Sequence, residues 1–277
     1  MNSFLSYILY SGAITLCLYL IYKWLLSKET FYRFNRAYLL TAYGVAFFAL
    51  PVKSIVEKLA ASPLSVNVGA LTVDGPVLEG FAADTSDSLL PDWAITAIFA
   101  VYITGLIAVV VQTIVVAVHI FLTIKAGEKT KVGRFTLVKT SQSRLAPFSI
   151  CGYVIVNRDD YDEADRMILA HEINHQRQLH WVDLFVAQAV IALQWFNPAA
   201  WLMRDELRSV HEYQADMAVI NEGANAKEYQ LLLIKKAIGA KFPALANCLN
   251  HSNLKKRITM MLKSKSSPWA RMRALAA

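Results

Sequence analysis

The chain has 277 residues, 56% hydrophobic and 18% charged, with a mean hydropathy of +0.37. That is too apolar for an average soluble protein and points to a membrane protein. The net charge of +7 does not imply nucleic acid, because Lys and Arg sit beside apolar runs, where they set membrane orientation. No RNA-binding signature with interleaved aromatics is present, so no direct nucleic-acid contact is expected.

The first element is "FLSYILYSGAITLCLYLIY", residues 4–22, which is uncharged and close to the length of a spanning helix. No Lys or Arg precedes Lys23, so a cleavable signal is not expected. The basic segment "KWLLSKETFYRFNR" leads to a second apolar run at 37–52, ending near Pro51. Residues 53–92 carry six acids and two lysines among Pro, Gly and Ser, and read as an external loop. A third apolar run, 93–120 and on to Ile124, exceeds the hydrocarbon thickness. His119 within it reads as a packed or interfacial residue. Basic residues after the first and third helices, against the acidic loop between, predict an outside N-terminus and a cytoplasmic region from residue 125 onward.

Beyond the third helix, "GRFTLVKTS" and "APFSICGYVIVN" predict two or three short strands. Asp160 with Glu163 forms a capping pattern before the helix of "RMILAHEINHQRQLHW". "DLFVAQAVIALQWFNPAAWLM" predicts a core helix or one dipping into the membrane surface. Pro198 opens a further helix that stops near Gly223. The tail from Leu254 to Ala277 has seven Lys or Arg and no acid, and reads as a membrane-surface segment. Cys17, Cys151 and Cys248 are far apart and form no C-x-x-C pair, so neither a disulfide framework nor a cysteine metal site is expected.

Chemistry concentrates in H-E-x-x-H. His171 and His175, four residues apart on a helix, project from one face and can ligate one zinc, with Glu172 placed as base for a bound water. Catalytic zinc takes three protein ligands. The "HEYQAD" stretch supplies Glu212 as the third and Asp216, one turn on, as the partner of a ligand histidine's N–H. His180 and Asp183 read as supporting or structural residues. Arg208, His211 and Tyr213 around Glu212 are unranked candidates for stabilising an oxyanion, and His251 reads as a surface residue.

These residues resemble the integral-membrane zinc metallopeptidases of the BlaR/MecR antirepressor type, in the gluzincin group. The likeness rests on "MILAHEINHQRQLHWVDLF", "WFNPAAWLMRDELRSVHEYQAD", "APFSICGYVIVN" and "RITMMLKSKS". It implies zinc at His171, His175 and Glu212, Glu172 as general base and Asp216 as supporting carboxylate. The implied fold is an α-helical membrane protein with three transmembrane helices in residues 1–124 and a mainly helical α+β cytoplasmic gluzincin-like domain over 125–277. The implied place is the bacterial inner (cytoplasmic) membrane, multi-pass, and the implied partners are the lipid bilayer and a protein or peptide substrate. That substrate is a transcriptional repressor or the protease itself. Such sensors continue into a fourth membrane helix and an external sensor domain, whereas no further apolar run precedes Ala277. A general quality-control or maturation protease, and a non-catalytic scaffold stabilised by metal, are the alternatives. In the enzyme reading, a strand around Ser149 to Asn157 offers its sheet edge to an extended substrate.

Overall fold

The computed structural model describes residues 3–60, 91–141, 145–157, 166–239, 244–264 and 266–267. Its first helix, α1 (Ser3–Ile21), runs on as a π-helical turn over Tyr22–Leu26. Helix α2 spans Tyr32–Ala60 and α3 spans Asp92–Ala126. Ile8–Leu26 and Trp93–Ala126 are long and apolar enough to cross a membrane. Two boundaries differ from expectation: α2 starts five residues before the apolar run at Ala37, and it continues to Ala60, eight residues into the segment expected as loop. Helical pairing across Lys53, Glu57 and Lys58 there satisfies the backbone without needing an apolar sequence. Residues 61–90 lie outside the described ones.

After α3 come four strands, β1 (Glu128–Val132), β2 (Phe135–Thr140), β3 (Phe148–Ile150) and β4 (Tyr153–Asn157), in sheet order β1-β2-β4-β3. Two or three were expected; the addition is the polar "EKTKV", which pairs with β2 as a fully exposed edge. Its residues contribute backbone hydrogen bonds rather than an apolar face, so alternation could not reveal it. The stretch Ser149 to Asn157 is likewise two strands. Cys151 (φ 49°) and Gly152 (φ 82°) form a two-residue turn with both central residues left-handed, the geometry that reverses a tight hairpin. As a result β4 is interior and β3 alone forms that edge.

The remaining helices are α4 (Arg166–Arg177), α5 (His180–Leu193), α6 (Pro198–Asn221), α7 (Ala226–Gly239) and α8 (Ala244–Leu262). The Asp160 and Glu163 capping pattern lies outside the described residues. Helix α6 starts as its sequence predicts: the Asn197 side chain accepts from Ala199 N at 3.0 Å, and Pro198 occupies the first turn, where no N–H is needed. Ala200, Met203, Leu207 and Val210 then form a buried stripe at helical spacing. With Ala187 and Val190 of α5, Leu39, Ala42 and Tyr43 of α2, and Tyr22 and Leu26, most of that stripe makes the largest core. A second core sets Leu137, Val154 and Val156 of the sheet against Leu169 and Ile173 of α4.

The α5–α6 turn, "LQWFNP", is wedged between α1 and α3. Gln194 Oε1 accepts from Thr15 Oγ1 of α1 at 2.9 Å and from Asn197 Nδ2 at 3.0 Å. The Trp195 indole N–H donates to Tyr102 O of α3, whose own hydroxyl donates to Leu193 O. The indole lies so close to Gly105 that a Cβ there would overlap its ring. Gly105→Ala is therefore expected to lower stability by about 1–3 kcal/mol, read as a lower denaturation midpoint in detergent. An unchanged midpoint would contradict this packing.

Candidate metal centre

Helix α4 divides its faces between sheet and site. Leu169 and Ile173 face the sheet, and His171 and His175 lie two residues on from each, about 200° around the helix. Glu172 and Gln176 occupy a third direction, toward β3 and its hairpin. Gln176 fixes that contact, accepting from Gly152 N at 2.9 Å and donating to Tyr153 O at 3.2 Å. Helix α6 brings Glu212 across. His171 Nε2 lies 3.1 Å from His175 Nε2 and 3.4 Å from Glu212 Oε2, and His175 Nε2 lies 3.5 Å from Glu212 Oε1. The ligand atoms of the three residues fall within 4.8 Å of one another, and among the described residues no other cluster could hold a metal ion.

The chemistry of this donor set fits a divalent metal. Both imidazoles turn Nε2 inward, and each Nδ1 has a partner that fixes its tautomer. At His171, Nδ1–H donates to the Tyr229 hydroxyl at 2.9 Å, which donates to Asp216 Oδ1 at 2.8 Å. Asp216 Oδ1 is itself 3.3 Å from His171 Nδ1. At His175, Nδ1 lies 2.7 Å from His180 Nδ1, and His180 Nε2 lies 3.0 Å from Gln214 Oε1. With Nε2 of His175 left as a lone pair, its Nδ1–H donates to His180, whose remaining N–H donates to Gln214. Every proton in that chain is accounted for.

Arg257 of α8 closes the site. Its Nε donates to Asp216 Oδ2 at 2.9 Å, its Nη2 to Asp216 Oδ1 at 2.5 Å, and its Nη1 lies 2.9 Å from Glu212 Oε2. Burial acts against a charge on His171, but Asp216 and Glu212 outweigh it and push that pKa up to about 9. A field that draws a proton to this point draws a divalent cation as well. Burial prevails at His175, which falls to about 4 and keeps its lone pair free. Glu212 remains ionised despite burial, through His171 and Arg257. Burial raises the Glu172 carboxyl, helped by the nearby Glu212 charge and opposed by His171 and the Ser149 hydroxyl.

The structure brings together all five residues expected from sequence: His171, His175 and Glu212 converge, Asp216 supports His171, and Glu172 lies on the ligand helix facing β3. The neighbours of Glu212 are placed as follows. His211 is buried, with Nε2 2.7 Å from Asp183 Oδ2 and its ring stacked on His180. Tyr213 packs on Tyr32, and Arg208 is exposed. His119 is exposed on α3. Cys17 and Cys151 are free and exposed.

The tail needs correction. Its first part is α8, and Arg257 turns inward, because the buried Asp216 and the half-buried Glu212 beside it require a cation and the helix face toward α6 supplies it. Ser266 is tied to Thr30 by hydrogen bonds of 2.8 and 2.9 Å, which also docks this stretch on the α1–α2 turn. Arg257 and Tyr229 escaped sequence reasoning. The only local signal was that Arg257 stands where the run of basic residues meets apolar Ile258, Met260 and Met261.

An H-E-x-x-H helix faced by a helix bearing a third, carboxylate donor defines a centre of the metallopeptidase class. A model of the family described as BlaR1 peptidase M56 matches residues 82–261, well over half of the chain, and the chain belongs to that family. The match runs from before α3 to the end of α8 and so covers every residue of the centre. No curated protein matches the chain. Membership implies peptidase activity, and a metallopeptidase family implies a metal.

Tyr229→Phe removes one hydroxyl from between His171 and Asp216 and leaves the ring packed. It is expected to weaken metal binding about tenfold, the lower end for loss of a partner behind a ligand histidine. Competition against a chromophoric chelator measures this, and wild-type affinity would remove Tyr229 from the centre.

Proposed function

We propose that the chain is a membrane-embedded zinc endopeptidase that hydrolyses a cytoplasmic protein in transmembrane signalling, cleaving a transcriptional repressor or itself. The observation that carries this reading is the convergence of His171, His175 and Glu212 with Glu172 at their side. Two apolar helices and the distribution of basic residues support a multi-pass protein with its N-terminus outside and its peptidase region in the cytoplasm.

His171, His175 and Glu212 would hold zinc, which when bound would supply activation of a water and polarisation of the scissile carbonyl. Glu172 takes the water proton, and its raised pKa makes it a stronger base than an ordinary carboxylate. The same carboxyl then returns the proton to the departing amine. Substrate binding is narrowed from the sequence expectation to β3, whose outer edge has no strand neighbour among the described residues. An extended peptide added there lies beside Ser149 and thus beside Glu172.

Structural zinc sites fill four positions with Cys and His. Among the described residues only three donors meet here, which favours the enzyme over a metal-stabilised scaffold. Glu172→Gln is expected to keep one zinc per chain and lose cleavage by at least about a hundredfold, tested by metal analysis together with a proteome comparison against wild type. Cleavage persisting in the variant would sink the reading. One or two proteins accumulating supports signalling, and a broad set of membrane proteins supports quality control instead.

A further inference from the structure

Helix α2 reaches toward the metal centre through Arg36. Arg36 donates from Nε to Asp183 Oδ2 at 2.6 Å and from Nη2 to Asp183 Oδ1 at 3.1 Å, a two-point grip on a carboxylate of α5. Its Nη2 also donates to Gln178 O at 2.7 Å. Gln178 closes the end of α4, just before Leu179, whose left-handed φ of 55° costs about 1–2 kcal/mol in a residue with a Cβ. Arg36 thus holds both the strained turn that follows the H-E-x-x-H helix and the first acid of the next helix.

Asp183 passes that grip inward. Its Oδ2, gripped by Arg36, accepts from His211 Nε2 at 2.7 Å, and the His211 ring lies parallel to His180, with centroids 4.0 Å apart and planes 7° apart. His180 in turn fixes Nδ1 of His175. Each of Asp183, His211 and His180 is at most 5% exposed. An unbroken line of contacts therefore runs from α2 to one metal ligand, separate from the Asp216 and Arg257 group behind the other.

We propose that Arg36 is a positioning residue: through Asp183, His211 and His180 it sets the ring of His175, so that the placement of α2 tunes the metal affinity of the centre. The inference rests on the metal-binding reading above. Loss of the guanidinium frees Asp183 and relaxes the stack, and His175 then spends less time with Nε2 aimed at Glu212. Lysine keeps the charge but cannot grip both carboxylate oxygens and the Gln178 carbonyl together.

The test is a double-mutant cycle on zinc affinity, with full-length protein in detergent and a chromophoric chelator as competitor. Arg36→Gln is expected to weaken zinc binding about tenfold and Arg36→Lys about threefold. His180→Phe keeps a ring in the stack but removes both hydrogen bonds, and is expected to cost about 10- to 100-fold. In the His180→Phe background, Arg36→Gln should add less than about twofold, since the line it acts through is already cut. An Arg36→Gln defect of equal size in both backgrounds, or none in either, overturns the proposal. Melting of the zinc-free proteins separates general loosening from this effect, and Arg36→Lys carries the cycle should Arg36→Gln not fold. Wild type that binds no zinc, or binds it equally well as Glu212→Gln, overturns the metal reading itself.

Discussion

Asp216 has no exposed surface, and an ionised carboxylate in that position costs on the order of several kcal/mol unless its lone pairs are matched. Its partners come from three other helices: Tyr229 from α7, Arg257 from α8 and His171 from α4. Satisfying one buried charge thus fixes how four helices meet. Arg257 also touches Glu212, so the cation that neutralises Asp216 holds the third metal donor one turn away on the same helix. The convergence of His171, His175 and Glu212 is in this sense a by-product of burying Asp216 properly. A looser arrangement would leave a charge unpaired, and that penalty selects one packing from the many an apolar stripe permits.

The other end of α6 is fixed by different means. Gln194 and Asn197 place a polar knot among apolar helices, hydrogen-bonded to Thr15 and to each other, while Trp195 fills the gap left by Gly105. Where water is scarce, these amides have few alternative partners, so the knot specifies register more than it adds stability. Helix α6 therefore runs from a wedge between α1 and α3 to Glu212 and Asp216, and it carries the placement of the apolar helices to the metal centre as a rigid rod.

Much of the site was legible in the sequence because its logic is local. His171, Glu172 and His175 lie within one turn of a helix, Glu212 and Asp216 within one turn of another, and helical spacing alone sorts them onto faces. The start of α6 was legible for the same reason, from Pro198. What could not be read depends on distance through space rather than along the chain. Arg257 stands in a run of basic residues that resembles a surface segment, and only the meeting of α6 with α8 makes it a partner of Asp216. Arg36 resembles an ordinary flanking cation until α2 and α5 pack. Strand β1 carries no apolar alternation, and Gly152 divides what looks like one strand into two. Periodicity reports which face is buried and is silent on which buried groups will face each other.

The two ligand histidines consequently answer to different parts of the molecule. His171 is backed by Tyr229, Asp216 and Arg257, residues of α6 and the two helices after it. His175 is backed by His180, which leans on His211 and, through Asp183, on Arg36 of α2. The candidate metal trio lies where these two polar groups converge, and among the described residues no hydrogen-bonded partner is common to both histidines. A rigid core transmits small displacements because it cannot deform continuously. A shift of α2 relative to α6 would therefore act on one ligand while the other stayed in place, opening the angle between the imidazoles rather than moving the centre as a unit.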